Sequence, residues 1–322
     1  MVERQAEDRA VTRTDTRSAR MVQLLTQLAP VEGYNLSALQ DVRFLRSNRP
    51  LSHVPVLYEP GIVILCQGCK RGYLGDQVYV YDARHYLVVS VPVPFTMETD
   101  ASEREPMLAI YIRLDLQLAS ELTLQVDELL GSSSEPPQGM YASPMDDALQ
   151  ATTLRFLEAM AIASDAQILG PALVREIYYR ILSGAQGGSL RAALARHGHF
   201  AKVTRALRTI HSRYREHLDV ESLAREASMS VPSFHRHFRS VTNTSPMQYL
   251  KSARLHQARL LMLHDALSAS AAAFSVGYES PSQFSREFKR FFGRTPQAEI
   301  DWMKATYALP APTGSPVYVS SH

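Results

Sequence analysis

The stretch VGYESPSQFSREFKRFFGRTP, residues 276–296, decides the fold of the C-terminal part of this chain. Gly277 permits the left-handed backbone with which helix-turn-helix elements often turn. Phe284 and Phe288 are four residues apart, so they share one face of a helix. The residues between them point elsewhere. The stretch therefore predicts a tight turn and then a helix with a buried aromatic face and a free outer face.

The same plan occurs earlier, in SLAREASMSVPSFHRHFRSVTNTSP, residues 222–246. Each copy has a helix rich in small residues, a turn, a second helix with two Phe residues, and a closing Ser-Pro or Thr-Pro. The Phe pairs alone would be explained by a helical core. A core does not explain why both copies place polar residues at matching outward positions. The matching pairs are Phe234 with Phe284, Phe238 with Phe288, Arg236 with Arg286, and Ser233 with Gln283.

Two such units are typical of a DNA-binding domain. Helices 231–241 and 281–292 could enter the major groove, where Arg donates to guanine and where Ser, His and Gln read other base edges. A helix over 246–264, at about 1.5 Å per residue, spans roughly 27 Å. That length would hold the two reading helices near one turn of DNA, about 34 Å, apart. We therefore expect one chain to read two successive major grooves.

The charges are unevenly distributed along the 322 residues. Residues 200–302 contain fifteen Lys and Arg against nine Asp and Glu, whereas residues 1–199 contain eighteen against twenty-three. A basic C-terminal half beside an acidic N-terminal half fits nucleic-acid binding by the former, although helical domains can also carry extra arginines on a solvated face. No apolar run approaches the ~18 residues of a membrane helix. The N-terminus lacks the apolar segment of a secretory signal. We expect a cytoplasmic protein without membrane partners.

The N-terminal half has a different periodicity. Short Val-, Ile- and Tyr-rich runs separated by Pro and Gly predict a small antiparallel barrel over 50–118. Apolar residues at helical spacing predict helices within 144–183. The glycine-rich SGAQGGS, residues 183–189, predicts a flexible connection. The expected order is a disordered leader (1–30), an effector-binding and dimerisation domain (31–185), a linker (186–199), a DNA-binding domain (200–304) and a disordered tail (305–322).

Residues 200–300, with RLHQARLLM (254–262) and the run 276–296, resemble the AraC/XylS family of transcription regulators. The resemblance implies that both second helices enter the major groove. Carried over by position, the readers in the first unit are Pro232, Ser233, His235 and Arg236. In the second unit they are Pro281, Ser282, Ser285 and Arg286, and Gln283 lies among them. Pro232 offers only an apolar contact, and Glu299-Ile300 replaces a Tyr-Arg pair that is frequent in the family.

Residues 57–100 resemble the N-terminal domain of one AraC subfamily. This resemblance implies an α+β protein in which a cupin-like barrel binds a small-molecule effector and the following helices form a homodimer. It also implies promoter DNA and RNA polymerase as partners, activation of transcription, and no cofactor. Two alternative functions belong to other classes of protein. An enzyme with a cupin active site would need clustered His and Glu ligands, yet His53 and His85 are far apart. An architectural DNA binder would show promoter binding and transcription that do not respond to small molecules.

Cys66 and Cys69 form the Cys-x-x-Cys pair of this chain, which has two cysteines. If Gln67-Gly68 were a two-residue hairpin loop, the two cysteines would face each other within disulfide reach. Lys70 and Arg71 could then lower a thiol pKa. We hypothesise that the pair senses oxidants or electrophiles such as aldehydes. The alternatives are two small apolar residues at a strand end and reversible binding of a small ligand in the barrel.

Overall fold

The structure is a computed structural model that describes residues 16–195 and 198–306. Residues 16–28 form helix α1, in which Met21, Leu24 and Leu25 are buried. Their spacing of three and four residues places them on one face of the helix. The prediction of a disordered leader is therefore wrong for residues 16–30. Its remainder, 1–15, and the predicted tail from residue 307 onward lie outside the described residues.

The strands of the N-terminal domain form two antiparallel sheets. One has the order β1-β2-β9-β4-β7-β10 and the other β3-β8-β5-β6. The strands are β1 Gly33–Leu36, β2 Val42–Ser47, β3 Leu51–Tyr58, β4 Gly61–Gln67, β5 Cys69–Leu74, β6 Gln77–Asp82, β7 His85–Val89, β8 Val93–Asp100, β9 Met107–Arg113 and β10 Met140–Pro144. The predicted barrel range of 50–118 is thus too narrow. Strands β1, β2 and β10 lie outside it because strands of four to six residues give a weak alternation signal.

Helices cover the outer face of the six-stranded sheet. They are α2 Leu116–Leu130, α3 Asp147–Met160, α4 Ala163–Ile168, α5 Gly170–Ser183 and α6 Gly187–Leu194. With α1 they bury one apolar face of that sheet, and its other face points into the barrel. Strand β4 is therefore buried on both sides, which explains its uninterrupted run Ile-Val-Ile-Leu-Cys.

The predicted linker 186–199 is wrong for most of its length, because α6 occupies it. Leu190 is fully buried in this helix. A Cβ at Gly187 would lie 2.2 Å from the carbonyl oxygen of Leu182. The glycines of this segment thus allow two backbones to approach closely. Residues 196 and 197 lie outside the described residues.

The C-terminal domain is helical. Its helices are α7 His199–Arg213, α8 Val220–Glu226, α9 Val231–Thr242, α10 Pro246–His264, α11 Ala269–Ser275, α12 Pro281–Phe292 and α13 Pro296–Thr306. The predicted reading helices 231–241 and 281–292 are α9 and α12. The α+β class with two helix-turn-helix units is confirmed. No helix in the described ranges has the length and apolar character needed to cross a membrane.

The barrel and the first helix-turn-helix unit share one hydrophobic core. Barrel residues such as Met97 and Val93 belong to the same buried cluster as Phe234 and Phe238 of α9. Two hydrogen bonds cross the junction: the Asn243 side-chain amide donates to the carbonyl oxygen of Leu74 at 2.8 Å, and the Tyr249 hydroxyl donates to that of Pro92 at 2.8 Å. The first unit is therefore docked on the end of the barrel.

Candidate DNA-binding surface and effector pocket

Each helix-turn-helix unit turns at a residue with left-handed backbone. In the first unit this is Ser228, with φ 51°, and in the second it is Gly277, with φ 86°. A Cβ at Gly277 would lie 2.5 Å from the carbonyl oxygen of Arg215, so glycine is required there by space as well as by φ. One residue separates Ser228 from the N-cap Ser230, whereas two separate Gly277 from the N-cap Ser280. The turn of the second unit is therefore one residue longer.

The paired phenylalanines point inward in both units, as the sequence predicts. Phe234 and Phe238 are fully buried, and their ring centroids are 5.3 Å apart. Phe284 and Phe288 are equally buried, at 5.4 Å. These contacts fix the rotation of each helix about its axis. The opposite face of each helix is consequently presented to solvent.

The structure places the first unit's predicted readers on the outer face of α9. Pro232, His235 and Arg236 are exposed, and Ser233 is half-buried. Within the described residues the Arg236 side chain has no hydrogen bond or ion pair. Its five N–H donors are therefore available to an outside acceptor.

The predicted readers of the second unit occupy the matching face of α12. Ser282, Gln283 and Arg286 are exposed, whereas Pro281 and Ser285 are half-buried. Pro281 is the first residue of the helix, where the missing N–H costs nothing. The Arg286 side chain, like that of Arg236, has no hydrogen bond or ion pair among the described residues.

Sequence reasoning missed several charged residues on these two helices. Arg239, Lys289 and Arg290 are also exposed, toward the C-terminal ends of the helices. Their spacing of three or four residues from the predicted readers was a usable signal for cations beside a reading face. Glu287 was missed as well. It accepts hydrogen bonds from Tyr278 and Gln283 and forms an ion pair with Lys251.

Helix α10 connects the two units over 19 residues, about 28 Å at the usual rise. Ser245 caps its first turn, and Pro246 is the first helical residue. Both hydrophobic cores contain residues of this helix, Leu250 in the first and Leu255 in the second. Both units are thus packed against the same helix, α10.

A cavity of about 280 Å³ opens between the barrel and α7. Its wall is mostly apolar, with one acidic and several basic side chains. The lining residues are Leu57, Tyr58, Glu59, Pro60, Pro92, Arg113, Leu114, Leu116, Thr204, Leu207, Arg208 and His211. Arg113 is paired with Asp41, whereas Arg208 is exposed and has no ion pair within the described residues. Burial raises the pKa of Glu59, which the charges of Arg43 and Arg113 oppose.

His211 joins this cavity to the domain junction. Its Nε2 lies 2.7 Å from the Tyr249 hydroxyl, which itself donates to the Pro92 carbonyl. The hydroxyl therefore accepts from His211, and the hydrogen-bond pattern assigns the proton to Nε2. The imidazole lies among packed neighbours, and this burial lowers the pKa of His211 to about 4. At neutral pH the chain of hydrogen bonds is uncharged.

Comparisons with known proteins agree with this geometry. The AraC-type transcriptional regulator N-terminus matches residues 38–189, and a helix-turn-helix domain matches residues 223–299. The chain belongs to the AraC/XylS family.

Curated relatives of this AraC-family protein match it mainly in the DNA-binding domain. The RCS-specific HTH-type transcriptional activator RclR of Escherichia coli is 44% identical over 77 residues, which are 24% of this chain and 27% of RclR. The Msm operon regulatory protein of Streptococcus mutans is 31% identical over 96 residues, and the match covers 30% of this chain and only 34% of that relative. The thermoregulatory protein LcrF of Yersinia pestis is 22% identical over 261 residues, 80% of this chain and 95% of LcrF.

Solved structures share the two-domain fold. ToxT from Vibrio cholerae, crystallised with an unsaturated fatty acid, superimposes with a TM-score of 0.56, 11% identity, and coverage of 88% of this chain and all of ToxT. Another crystal structure of ToxT gives a TM-score of 0.54 at 12% identity, over 83% of this chain and 99% of that one.

In this chain Glu299-Ile300 stands where the family frequently has a Tyr-Arg pair after Thr295-Pro296. The structure shows which contacts these two residues make. Glu299 is buried and pairs with Arg259 at 3.2 Å and with Arg294 at 3.3 Å. Ile300 is buried in the core of the second unit. The two residues therefore act inside the domain, away from its solvent-exposed face.

The predicted hairpin between the cysteines is wrong. Cys66 lies in β4 of the six-stranded sheet, and Cys69 begins β5 of the other sheet. Gly68, with φ 86°, allows the chain to cross between the sheets. Both thiols are free. Burial raises the pKa of Cys66 to about 12 and also raises that of Cys69.

The cations expected to lower a thiol pKa do not bring either thiol below its ordinary value, because burial raises the pKa of both. Lys70 is fully buried in the barrel, where its Nζ donates to the Tyr58 hydroxyl at 3.0 Å, and burial lowers the pKa of Lys70 to about 7. Arg71 lowers the pKa of Cys69, but burial, Asp100 and Asp82 raise it. Within the described ranges no three His, Cys, Asp or Glu side chains are grouped to hold a metal ion.

Proposed function

We propose that this protein is a transcription regulator that reads two successive major grooves of promoter DNA with α9 and α12. The observation that carries the proposal is the pair of outward faces, each with an exposed arginine at the same position and no ion pair within the described residues. An exposed guanidinium without a partner is suited to bidentate contact with guanine. Helix α10 is about 28 Å long, a length comparable with the roughly 34 Å between successive major grooves on one side of DNA.

Base reading falls to the residues on the first turns of the two helices. In α9 these are Pro232, Ser233, His235 and Arg236. In α12 they are Pro281, Ser282, Gln283, Ser285 and Arg286. Exposed Arg239, Lys289 and Arg290 would neutralise phosphates beside them.

The effector in this proposal binds reversibly in the cavity between barrel and α7. ToxT has been crystallised with an unsaturated fatty acid and with a naphthalenyl butenoic acid. The cavity has the chemistry for such molecules, since its wall is largely apolar and Arg208 could pair with a carboxylate. A ligand there would touch both domains and could change how they pack. Reversible binding is favoured over thiol sensing, because burial raises the pKa of both cysteines.

The protein would act as a homodimer that activates transcription by contacting RNA polymerase. Large apolar side chains are exposed on the helices that cover the barrel, which supports an interface there. They are Leu116, Leu124, Leu129 and Leu130 of α2, Ile168 of α4, and Ile162 and Leu169 beside α4. Burying this surface against a second copy would remove it from water.

Footprinting of the purified protein on the promoter of its own gene tests DNA reading. Two protected segments one helical turn apart are expected for each chain of the dimer. Arg236→Ala and Arg286→Ala should each cost about 1–3 kcal/mol on the specific site. Arg213→Ala is the matched control, since Arg213 is exposed but paired with Glu216 at the end of α7. Equal losses on all DNA sequences would make the two arginines phosphate contacts and would contradict the reading roles.

The effector proposal is tested by calorimetry and by transcription with unsaturated fatty acids of different length. Binding should weaken in Arg208→Ala, which removes the unpaired cation, and should survive in Arg205→Ala, one helical turn away. Cys66→Ser/Cys69→Ser should respond as the wild type does. Thiol sensing would be favoured instead if the wild type bound no fatty acid and Cys66→Ser/Cys69→Ser lost the transcriptional response.

A further inference from the structure

The side-chain amide of Gln283 has a fixed orientation on the outer face of α12. Its Nε2 lies 3.3 Å from Oε1 of Glu287, four residues later on the same helix. A carboxylate only accepts hydrogen bonds, so the amide nitrogen must be the atom turned toward it. The amide oxygen is consequently the atom left to face outward beside Arg286, three residues along the same exposed face.

Glu287 is itself held in place by other residues. The Tyr278 hydroxyl donates to its Oε2 at 2.9 Å, and Lys251 of α10 lies 2.9 Å from its Oε1. Burial would raise the pKa of Glu287, but the hydrogen bonds from Lys251, Tyr278 and Gln283 outweigh it, and the pKa is lowered. The carboxylate thus stays charged and anchored to the turn and to α10. It is a rigid support for the amide of Gln283.

We infer that Glu287 is a positioning residue that makes Gln283 present its amide oxygen to the DNA, so that this side chain selects a base with an exocyclic amino group. In the major groove, adenine offers N6–H₂ and cytosine N4–H₂, whereas guanine and thymine offer carbonyl oxygens. An outward amide oxygen accepts from the first pair and is repelled by the second. The inference rests on the proposed function, because it specifies how one reader of α12 acts.

The first unit has no equivalent support. His237 stands at the position of Glu287, and its ring stacks on that of His199 at 3.8 Å between centroids. Ser233 stands at the position of Gln283, and its hydroxyl can both donate and accept. Selection between amino and keto bases by a supported amide should therefore occur in only one half of the binding site. That half should also contain the guanine contacted by Arg286.

The test is selection of binding sites by the full-length protein from randomised duplex DNA, followed by affinities for all four bases at each selected position. The wild type should prefer adenine or cytosine over guanine and thymine by roughly tenfold at one position beside the Arg286 guanine. Glu287→Gln removes the obligate acceptor, so Gln283 can turn over, and the preference at that position should fall to about twofold or less. Glu279→Gln is the matched control, since Glu279 is exposed and lies in the same unit.

A second variant leaves Glu287 and its contacts with Tyr278 and Lys251 intact. Gln283→Glu presents only acceptor oxygens and should keep the amino-base preference at the same position, although overall affinity falls. Loss or reversal of the preference in Gln283→Glu would overturn the inference, as would a wild-type preference that persists in Glu287→Gln. If no sequence is enriched from the random pool, the proposed DNA-reading function fails instead. If sites are enriched without an amino-base position, only the role of Glu287 fails.

Discussion

The first helix-turn-helix unit packs into the hydrophobic core of the barrel, whereas the second has a hydrophobic core of its own. Phe234 and Phe238 belong to the cluster that fills the barrel, while Phe284 and Phe288 pack with α10, α11 and α13. The second unit touches the barrel at few points. One is the Arg259 guanidinium, which donates to the carbonyl oxygen of Pro55 at 3.5 Å.

This difference shows where a change in the barrel would be felt. A ligand between the barrel and α7 would act directly on the first unit, since Leu207 of α7 belongs to the shared core and lines the cavity. The second unit would follow through α10, which connects the two. Similar sequence plans thus give two units with different mechanical roles.

The largest effects should come from emptying the two aromatic cores. Phe238→Ala and Phe288→Ala should each lower the free energy of unfolding by about 3–5 kcal/mol, the usual cost of a buried Phe cavity. Only Phe238→Ala should also lower hydrogen-exchange protection in barrel strands β5 and β8. Equal loss of barrel protection in Phe288→Ala would show that the second unit is as firmly joined to the barrel as the first.

The buried ion pair of the second unit should be nearly as sensitive. Arg259 and Glu299 are 1% and 2% exposed, and Arg259 lies over the ring of Phe292 at 4.5 Å. Arg259→Met leaves Glu299 with Arg294 alone and should cost about 3 kcal/mol by urea unfolding. Arg259→Met/Glu299→Leu should recover most of that loss, because no buried charge remains. A double variant no more stable than the single one would contradict this account.

Much of the candidate DNA-binding surface was predictable from sequence because it depends on local spacing. The i, i+4 phenylalanines determine which face of α9 and α12 is buried, and Arg236 and Arg286 then must point outward. The support of Gln283 by Glu287 is also local. It was missed because an acidic residue beside predicted readers of DNA does not by itself indicate a role.

The parts that sequence reasoning did not predict depend on distant contacts. The prediction of a hairpin around Gly68 failed because Cys66 and Cys69 lie in different sheets. Sequence spacing does not show to which sheet a strand belongs. The prediction of a flexible linker failed because Gly187 is needed for a close approach to the backbone of α5. A glycine required by close packing and a glycine in a flexible segment look the same in composition. The shared core of barrel and first unit joins residues more than a hundred positions apart.

Acid should weaken the first unit's attachment to the barrel. The pKa of His211 is lowered to about 4 in the folded protein, against about 6.5 in the unfolded chain. Between these two pH values the unfolded chain binds one more proton at His211 than the folded protein does. The stability contributed by the neutral, buried His211 is therefore complete above pH 6.5 and is lost as the pH falls toward 4. The loss should approach roughly 3 kcal/mol. His211→Gln should flatten this slope in unfolding measurements, whereas His217→Gln, at an exposed site, should not.

The smallest expected effect compares the C-terminal ends of α9 and α12. Asn243 ends α9 and Gly293 ends α12, both with left-handed backbone. The Asn243 amide donates to Leu74 of the barrel, whereas a Cβ at Gly293 would meet no atom within 4 Å. Asn243→Gly keeps the backbone geometry but removes that hydrogen bond, so it should cost about 1 kcal/mol. Gly293→Asn should change stability by less than about 0.5 kcal/mol, since asparagine tolerates this conformation. If the two exchanges had equal effects in urea unfolding, the contact between α9 and the β5–β6 turn would not distinguish the first unit from the second.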